Sequence, residues 1–493
     1  MSNTAVAARD ASRAAGPAHP HRSPGRRPRS VGAPRSSGAP RSPAPGRAAL
    51  RAGVFGNFVD QVHIFLPLVA LAPALPTIAG ERALAVVGSW VVVATLLGRP
   101  VGAMVFGPLA DRVGRTATTR VAILGTAACT AGIALVPSHA SIGIASVVVI
   151  LLLRFLGGVF LAGEYTAAIP LAMEWSPPRR RGLVSGLIMA MAPWAQAAIA
   201  GSTAALLWLL GPEQYAQWGW RVVFGAGAVA SLGVYLYYAR SVVDEPGATR
   251  RREVATAHGQ AVAVGAGGKA GAVDGGGRAA VRHPGLVELL LGRHARSFWQ
   301  VFGLMTGLWC LTNMVVIAMT GLLGTELGLG AGEVSLVMAA AAVAQALVMS
   351  VTGHLSTLTG RRVFFVGAGL VAAVAAPVLW WLTLAGAGGV AAGVVALQVV
   401  TVTAYGPVGA YLSERWPAEV RSTGYGTAYS LSIVLPALWP VWLPWVQGVV
   451  GERPAEMAVL AVGGLLVAGG GLLGPALRPP ELHRSVEEVA TFP

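Results

Sequence analysis

The sequence predicts an all-α polytopic membrane protein with twelve transmembrane helices in two six-helix halves. Of its 493 residues, 54% are hydrophobic and 12% are charged, whereas soluble globular proteins average about 25% charged residues. The apolar residues fall in runs of about 20, the length that crosses a bilayer. Six runs precede a Gly- and Ala-rich segment at 240–297, and six follow it. An ordinary soluble protein is therefore excluded.

The chain begins with a basic segment, residues 1–51, which we predict to be a disordered cytoplasmic tail. Its arginines stand among Pro, Ala, Ser and Gly, and Asp10 is its only acid. Such a composition has little to bury, and it lacks the apolar core of a signal peptide. The net charge of +15 suggests nucleic-acid binding at first sight. We instead expect the tail to lie near anionic lipid, with no nucleic-acid partner.

Two sets of apolar runs follow in order. The N-terminal half, 52–239, has predicted spans at 52–78, 84–109, 118–138, 142–172, 183–209 and 217–239. Residues 240–297 read as a flexible cytoplasmic linker. The C-terminal half, 298–475, has predicted spans at 298–323, 333–353, 363–386, 390–413, 424–446 and 456–475, and a second cytoplasmic tail occupies 476–493.

Arginine accumulates on one side of these spans. The two tails, the linker and the turns on that side are basic, while the opposite turns hold chiefly Arg82 and Arg453. The positive-inside rule then makes both termini cytoplasmic in a multi-pass protein of the plasma (inner) membrane. An even number of spans likewise requires both termini to lie on the same side of the membrane.

Two short patterns recur in the two halves. Gly107-Pro-Leu-Ala-Asp111-Arg112-Val-Gly114-Arg115 matches a stretch from Gly353 to Arg361, and Glu174-Trp-Ser-Pro177-Pro-Arg-Arg-Arg181 matches a stretch from Glu414 to Arg421. The separations are 246 and 240 residues. Six spans per copy make the copies parallel, related about an axis along the membrane normal.

These two patterns resemble the signature loops of the major facilitator superfamily. Several further stretches are similar to its metabolite:proton symporter branch: Gly56-Asn57-Phe58-Val-Asp60, Arg99-Pro100-Val-Gly102-Ala103, Arg154-Phe155-x-Gly157-Gly158, Ala162-Gly163-Glu164-Tyr165 and Gly406-Pro407-Val-Gly409-Ala410-Tyr411. The resemblance implies the major facilitator fold and proton-driven import of small organic acids or zwitterionic metabolites. Where the branch carries Glu-Trp-Tyr-Asp, this chain has Asp60-Gln-Val-His63, so both ionisable positions persist in altered form.

Ionisable groups at membrane depth are costly and therefore functional candidates. Asp60 and His63 share one helical face near the bilayer midplane, and Arg154 lies at similar depth in the fourth span. One interpretation makes Arg154 a clamp for a substrate carboxylate and Asp60 or His63 the proton carrier. The alternative is a buried Arg154–Asp60 pair that only holds two helices in register.

Two more candidates lie in the first half. Gly98 and Gly102 flank Arg99 and form a small-residue face that favours close helix packing. Arg99 itself is interpreted either as a packing residue or as a contact of the substrate or the gate. Glu164 either accepts a proton or pairs with Arg99; both alternatives stay open.

The signature loops supply a predicted cytoplasmic gate. The resemblance implies that the charged residues of these loops pair with one another and close the cytoplasmic side. The predicted gate residues are Gly107, Asp111, Arg112, Gly114, Arg115, Glu174, Arg181, Glu414 and Arg421. The plainer alternative is that the basic residues only set topology. Because Thr357 and Leu358 replace the acid and base of the first loop, we expect the gate to rely mainly on the first half.

In the second half, candidate cavity-lining groups are Trp309, Asn313, Gln345, Gln398 and Tyr405. Each is also explicable as a packing or interhelical hydrogen-bonding residue.

The leading function is a proton-coupled secondary transporter that imports a small organic acid or zwitterion by alternating access. The alternatives are an exporter of a drug or secondary metabolite, and a transporter-like sensor. No phosphate-binding Gly-x-x-x-x-Gly-Lys-Ser/Thr loop, metal-ligand motif or nucleophile motif occurs. We therefore expect no enzyme, no cofactor and no metal, with protons and a small metabolite as partners and a monomeric protein in the bilayer. The two cysteines, Cys129 and Cys310, are expected to be free and buried.

Overall fold

A computed structural model of the chain describes residues 43–80, 84–243 and 286–490. Most of the predicted basic tail and of the linker lie outside these ranges. The described residues form helices and turns without a β-strand. The membrane segments are α1 Gly46–Ala79, α2 Leu84–Val113, α3 Arg115–Ala134, α4 Ala145–Trp175, α5 181–214, α6 Trp220–Ser241, α7 Ala295–Thr325, α8 Ala331–Thr359, α9 Arg361–Leu384, α10 Val390–Ser413, α11 421–450 and α12 Glu452–Leu472.

These segments give the twelve crossings that the sequence predicts. Over the described ranges, ten helices are long and apolar enough to span a bilayer. One of them, Pro178–Ser241, has 64 residues and is broken at Gly211 (φ 75°, ψ 163°). A continuous helix of that length would be about 96 Å long, far more than the ~30 Å hydrocarbon core, so it supplies both α5 and α6. A pair bent by 48°, Arg421–Ala437 with Trp439–Val450, supplies α11.

The helix α2 packs on α4 with almost no space between their backbones. A Cβ atom added at Gly102 would lie 2.0 Å from the Val159 carbonyl oxygen, and one added at Gly158 would lie 2.1 Å from the Thr95 carbonyl oxygen. Only glycine fits at such a crossing, which is the small-residue mode of helix association in lipid. This contact fixes the faces of α2 and α4 that carry Arg99, Arg154 and Glu164.

The helix α1 changes its winding halfway across the membrane. Its α-helical part ends at Phe65, and Leu66–Ala70 forms a π-helical turn. Pro67 lies in that turn and has no N–H, so the carbonyl of His63, four residues earlier, loses its helical partner. At its other end α1 begins before the predicted boundary at residue 52, and Ala49 in this earlier stretch is buried at 2% exposure.

Candidate functional site

A cavity of about 100 Å³ lies between the two halves. The N-terminal half contributes α1, α2, α4 and α5 to its wall, and the C-terminal half contributes α7, α8, α10 and α11. Most of the wall is apolar. Its polar and aromatic members are Asn57, Gln61, Phe65, Arg99, Tyr165, Gln196, Trp309, Thr312, Asn313, Gln345, Tyr405 and Tyr429.

Arg99 is the cationic side chain in this wall. It is 1% exposed, and its Nε and Nη2 atoms have no hydrogen-bond partner among the described residues. Its guanidinium carbon lies 5.4 Å from the ring centre of Tyr165, 5.7 Å from that of Trp309 and 5.3 Å from that of Tyr429. Cation–π contacts of this kind partly compensate a desolvated charge. The N–H groups remain available to an anionic ligand.

Asp60 and Glu164 form a carboxyl pair between α1 and α4, behind the cavity wall. Asp60 is 2% exposed and Glu164 is 3% exposed, and their side chains are hydrogen-bonded to each other. A carboxylate is only an acceptor, so two carboxyl groups make this bond when one of them carries a proton. Each also keeps one oxygen without a partner. The two carboxyl groups are therefore a candidate proton site in the interior of the first half.

Arg154 does not occupy the substrate-facing position that one interpretation of the sequence gives it. Its Nε donates to the Thr95 hydroxyl at 2.8 Å, and its Nη2 donates to the His63 carbonyl at 2.9 Å. That carbonyl is the one deprived of its helical partner by Pro67, so Arg154 satisfies the break in α1. Arg154 is absent from the cavity wall, and neither an ion pair nor a hydrogen bond joins it to Asp60 in the described part of the chain. Its predicted role as a substrate clamp stays a prediction that this geometry does not favour.

His63 is held on both ring nitrogens. Its Nε2 lies 2.5 Å from the Ser231 hydroxyl on α6, and its Nδ1 lies 2.9 Å from the Thr130 hydroxyl on α3. The ring is 1% exposed and is outside the cavity wall. It ties three helices of the first half together, three residues from the carboxyl pair.

The predicted second-half residues divide in two groups. Trp309, Asn313, Gln345 and Tyr405 line the cavity, whereas Gln398 lies outside it with its amide 3.8 Å from the Met338 sulfur. Sequence reasoning missed six polar cavity-lining residues: Asn57, Gln61, Tyr165, Gln196, Thr312 and Tyr429. Asn57 and Tyr165 stand inside the quoted branch motifs, and Asn57 and Gln61 lie one turn apart on the Asp60 helix, so their polarity at membrane depth was an available signal.

One end of the bundle carries a symmetric ion-pair network; we call it the basic end. Glu174 pairs with Arg115 of its own half and with Arg421 of the other half. Glu414 likewise pairs with Arg361 of its own half at 3.1 Å and with Arg181 of the other half at 3.2 Å. All these side chains are at most 10% exposed. Burial alone would raise the pKa of Glu414, but the two guanidiniums hold it below its usual range.

This symmetry corrects one expectation. We expected the gate to rely mainly on the first half, because the second loop lacks the acid and base at Thr357 and Leu358. The arginine that ends the repeat survives as Arg361, however, and it completes a second pair with Glu414. Both copies therefore contribute ion pairs that join the two halves at the basic end.

The remaining signature residues also join the halves here. Asp111 accepts hydrogen bonds from the Ser422 and Thr423 backbone N–H groups at 3.1 and 2.8 Å, at the N-terminus of α11 where a negative charge is favoured. A Cβ at Gly107 would lie 2.9 Å from the Thr423 Cα. Gly114 has φ 126°, a conformation that starts α3 and suits glycine. Arg112 is exposed.

The C-terminal segment docks on the same network. Glu487 pairs with Arg421 at 3.0 Å, and the Arg484 carbonyl accepts from Arg181 at 2.9 Å. Leu482, Val486 and Val489 of this segment are buried. The predicted second tail thus contributes to closure of the basic end.

At the opposite end a second cavity of about 330 Å³ lies between α1, α2, α7 and α11. It shares five lining residues with the central cavity: Leu68, Val92, Leu96, Asn313 and Ile317. The central cavity therefore continues toward the opposite end while the basic end is closed.

Two six-helix halves around a shared central cavity, sealed at one end by paired charges, define a polytopic membrane transporter. The family model described as "Major Facilitator Superfamily" matches residues 55–440. The chain belongs to the Major Facilitator Superfamily, whose members are transporters and not enzymes.

Relatives and solved structures agree with this assignment. The chain is 31% identical over 429 residues to the inner membrane metabolite transport protein YhjE of Escherichia coli strain K12, covering 82% of this chain and 87% of that protein. It is 26% identical over 349 residues to the proline/betaine transporter of Salmonella typhimurium, covering 71% and 66% respectively. The proton:xylose symporter XylE bound to 6-bromo-6-deoxy-D-glucose superposes with a TM-score of 0.67 at 16% identity, covering 86% of this chain and 95% of that one. At that identity the structural likeness concerns the fold alone.

Proposed function

We propose that this protein imports a small organic acid or zwitterionic metabolite together with protons, by alternating access across the plasma (inner) membrane. The observation that carries the proposal is Arg99, a buried cation in the cavity wall with two unpartnered guanidinium nitrogens, Nε and Nη2. A carboxylate fits this position, because charge-assisted bonds to guanidinium are strong and geometrically matched. The surrounding rings suit an apolar or cationic remainder of the solute. The names of the relatives, which include metabolite and proline/betaine transporters, point to the same solute class.

The proton in this scheme resides on the Asp60–Glu164 pair. The two groups lie on α1 and α4, next to Gly56, whose added Cβ would stand 3.3 Å from a Glu164 oxygen. Both helices also line the cavity, so a movement of either changes the pair and the site together. His63 is a second candidate, although both of its nitrogens are already bonded.

We place both termini and the basic end on the cytoplasmic side, following the positive-inside rule. With the basic end closed and the cavity continuing to the other side, this arrangement corresponds to loading from outside. Uptake rather than export follows for a solute that moves with protons down their gradient.

The decisive experiment is uptake into vesicles with an imposed pH gradient, screening labelled organic acids, betaines and amino acids. We expect uptake of at least one carboxylate-bearing solute that collapses on addition of a protonophore. Arg99→Met should abolish its binding and Arg99→Lys should weaken it, because Lys keeps the charge but loses the planar fork. Arg240→Met, an exposed arginine at the end of α6, is the matched control and should transport normally.

Two further variants test the proton site. Asp60→Asn and Glu164→Gln should abolish accumulation against a gradient while solute binding persists. Uptake driven by sodium at constant pH, or undiminished binding in Arg99→Met, would overturn the proposal. Proton-driven efflux of the same solutes would make the protein an exporter instead.

A further inference from the structure

Three tyrosines lie between the cavity and the basic end and stack across the two halves. Tyr165 of α4 and Tyr429 of α11 have ring centres 4.4 Å apart with planes inclined by 28°. Tyr425 of α11 lies 5.9 Å from Tyr165 and 6.1 Å from Tyr429. All three are at most 3% exposed. We call them the tyrosine stack.

The tyrosine stack occupies the floor of the central cavity. Tyr165 and Tyr429 belong to the cavity wall, whereas Tyr425, one helical turn nearer the basic end, does not. One turn further along α11, Arg421 belongs to the ion-pair network. Because one ring comes from the first half and two come from the second, the halves cannot separate at this end without breaking the stack.

A single guanidinium contacts rings from both halves. Arg99 lies over Tyr165 of the first half at 5.4 Å and over Tyr429 of the second half at 5.3 Å. Its attraction to the rings depends on its unneutralised positive charge. A carboxylate bound to its free N–H groups would neutralise that charge and compete for the orientation of the guanidinium.

We propose that the tyrosine stack is the inner gate of the transporter and that Arg99 couples solute binding to its opening. The inference rests on the proposed function for the identity of the ligand, a carboxylate. In the empty protein, Arg99 holds Tyr165 and Tyr429 together. Binding of the carboxylate weakens this cross-half contact, so the ligand favours the state in which the basic end is open. A ligand shifts the equilibrium toward the open state only if it binds that state more tightly. The guanidinium provides this tighter binding once it is freed from the rings. Tyr165 and Tyr429 are positioning residues in this scheme.

The test uses hydrogen–deuterium exchange of the full chain in detergent or nanodiscs, reading amides at the start of α11. Without ligand, Tyr429→Leu should speed exchange there about tenfold, because it removes the ring from Arg99. Tyr429→Phe keeps the ring but loses the hydroxyl that is hydrogen-bonded to Tyr165 and Arg99, so it should speed exchange clearly less than Tyr429→Leu does. Tyr165→Leu and Tyr165→Phe repeat the comparison from the other half and serve if a Tyr429 variant does not fold. Amides of α6, remote from the stack, report correct folding.

The ligand arm uses glycine betaine as the probe. It should speed exchange at the start of α11 in the unaltered protein and have no effect in Arg99→Met. Unchanged exchange in both leucine variants, or equal acceleration in the leucine and phenylalanine variants, would overturn the gate. The ligand-free comparisons test the gate by themselves, so failure of betaine to bind, with the leucine variants open, would count against the proposed ligand class alone.

Discussion

Arg154 offers a sharp test of how a buried charge is used in this fold. It donates to the Thr95 hydroxyl at 2.8 Å and to the His63 carbonyl at 2.9 Å. Hydrogen bonds from charged groups contribute roughly 1.5–3 kcal/mol each, and loss of the buried charge offsets part of this. Arg154→Met should therefore lower the free energy of unfolding by about 3 kcal/mol, as measured by detergent unfolding followed by helical circular dichroism.

The variant Pro67→Ala tests whether this loss of stability comes from the hydrogen bond to the His63 carbonyl. Alanine restores an N–H that can donate to the His63 carbonyl, so Arg154→Met should cost about 1–2 kcal/mol less in the Pro67→Ala background. Pro377→Ala, inside α9 of the other half, is the control and should leave the cost unchanged. If the changes in the free energy of unfolding caused by Arg154→Met and by Pro67→Ala add to within about 0.5 kcal/mol in the double variant, the reasoning is refuted. If Arg154 were the substrate clamp, the double variant would regain stability but not solute affinity.

Three further predictions concern packing and the basic end. Gly102→Ala should lower stability by about 2 kcal/mol or more in the same unfolding assay, because its Cβ would meet a carbonyl oxygen at 2.0 Å, whereas Gly225→Ala, with open space around it, should be neutral or stabilising. Glu414→Gln should destabilise the protein by about 3–5 kcal/mol by stranding two buried guanidiniums, and Glu288→Gln, from an exposed pair, by at most about 1 kcal/mol. Since the pKa of Glu414 is lowered, its contribution to the free energy of unfolding is present at pH values above the ordinary carboxyl pKa and is lost only as the pH falls through the lowered pKa. A stability that dropped between pH 7 and 6 in the wild type but not in Glu414→Gln would contradict this assignment. Asp111→Asn should slow transport while solute affinity stays within a fewfold; complete loss of binding by folded protein would be evidence against a purely conformational role.

Much of the architecture follows from local patterns in the sequence. Apolar runs of membrane-spanning length predict the helices, because lipid leaves the backbone no alternative to internal hydrogen bonding. The repeated motifs predict two parallel halves, and their glycines and arginines stand in equivalent places, with Gly114 and Gly360 both at positive φ where α3 and α9 begin. The expectation that the second loop contributes little rested on its two lost charges, whereas its retained Arg361 still pairs with Glu414.

Only the tertiary structure showed which buried charge lines the cavity and which one bonds to the protein backbone. Arg99 and Arg154 look alike in the sequence, each a lone arginine in an apolar run, yet one lines the cavity and the other completes the backbone of α1. Hydropathy fixes how deep a residue lies, but the direction in which it faces depends on helix rotation, which is set by close contacts such as those at Gly102 and Gly158. The stack of Tyr165 on Tyr429 joins residues 264 positions apart, and no local pattern encodes such a meeting. The sequence by itself determined the membrane fold and the charges that pair at the basic end, while packing between helices decided which polar groups line the central cavity.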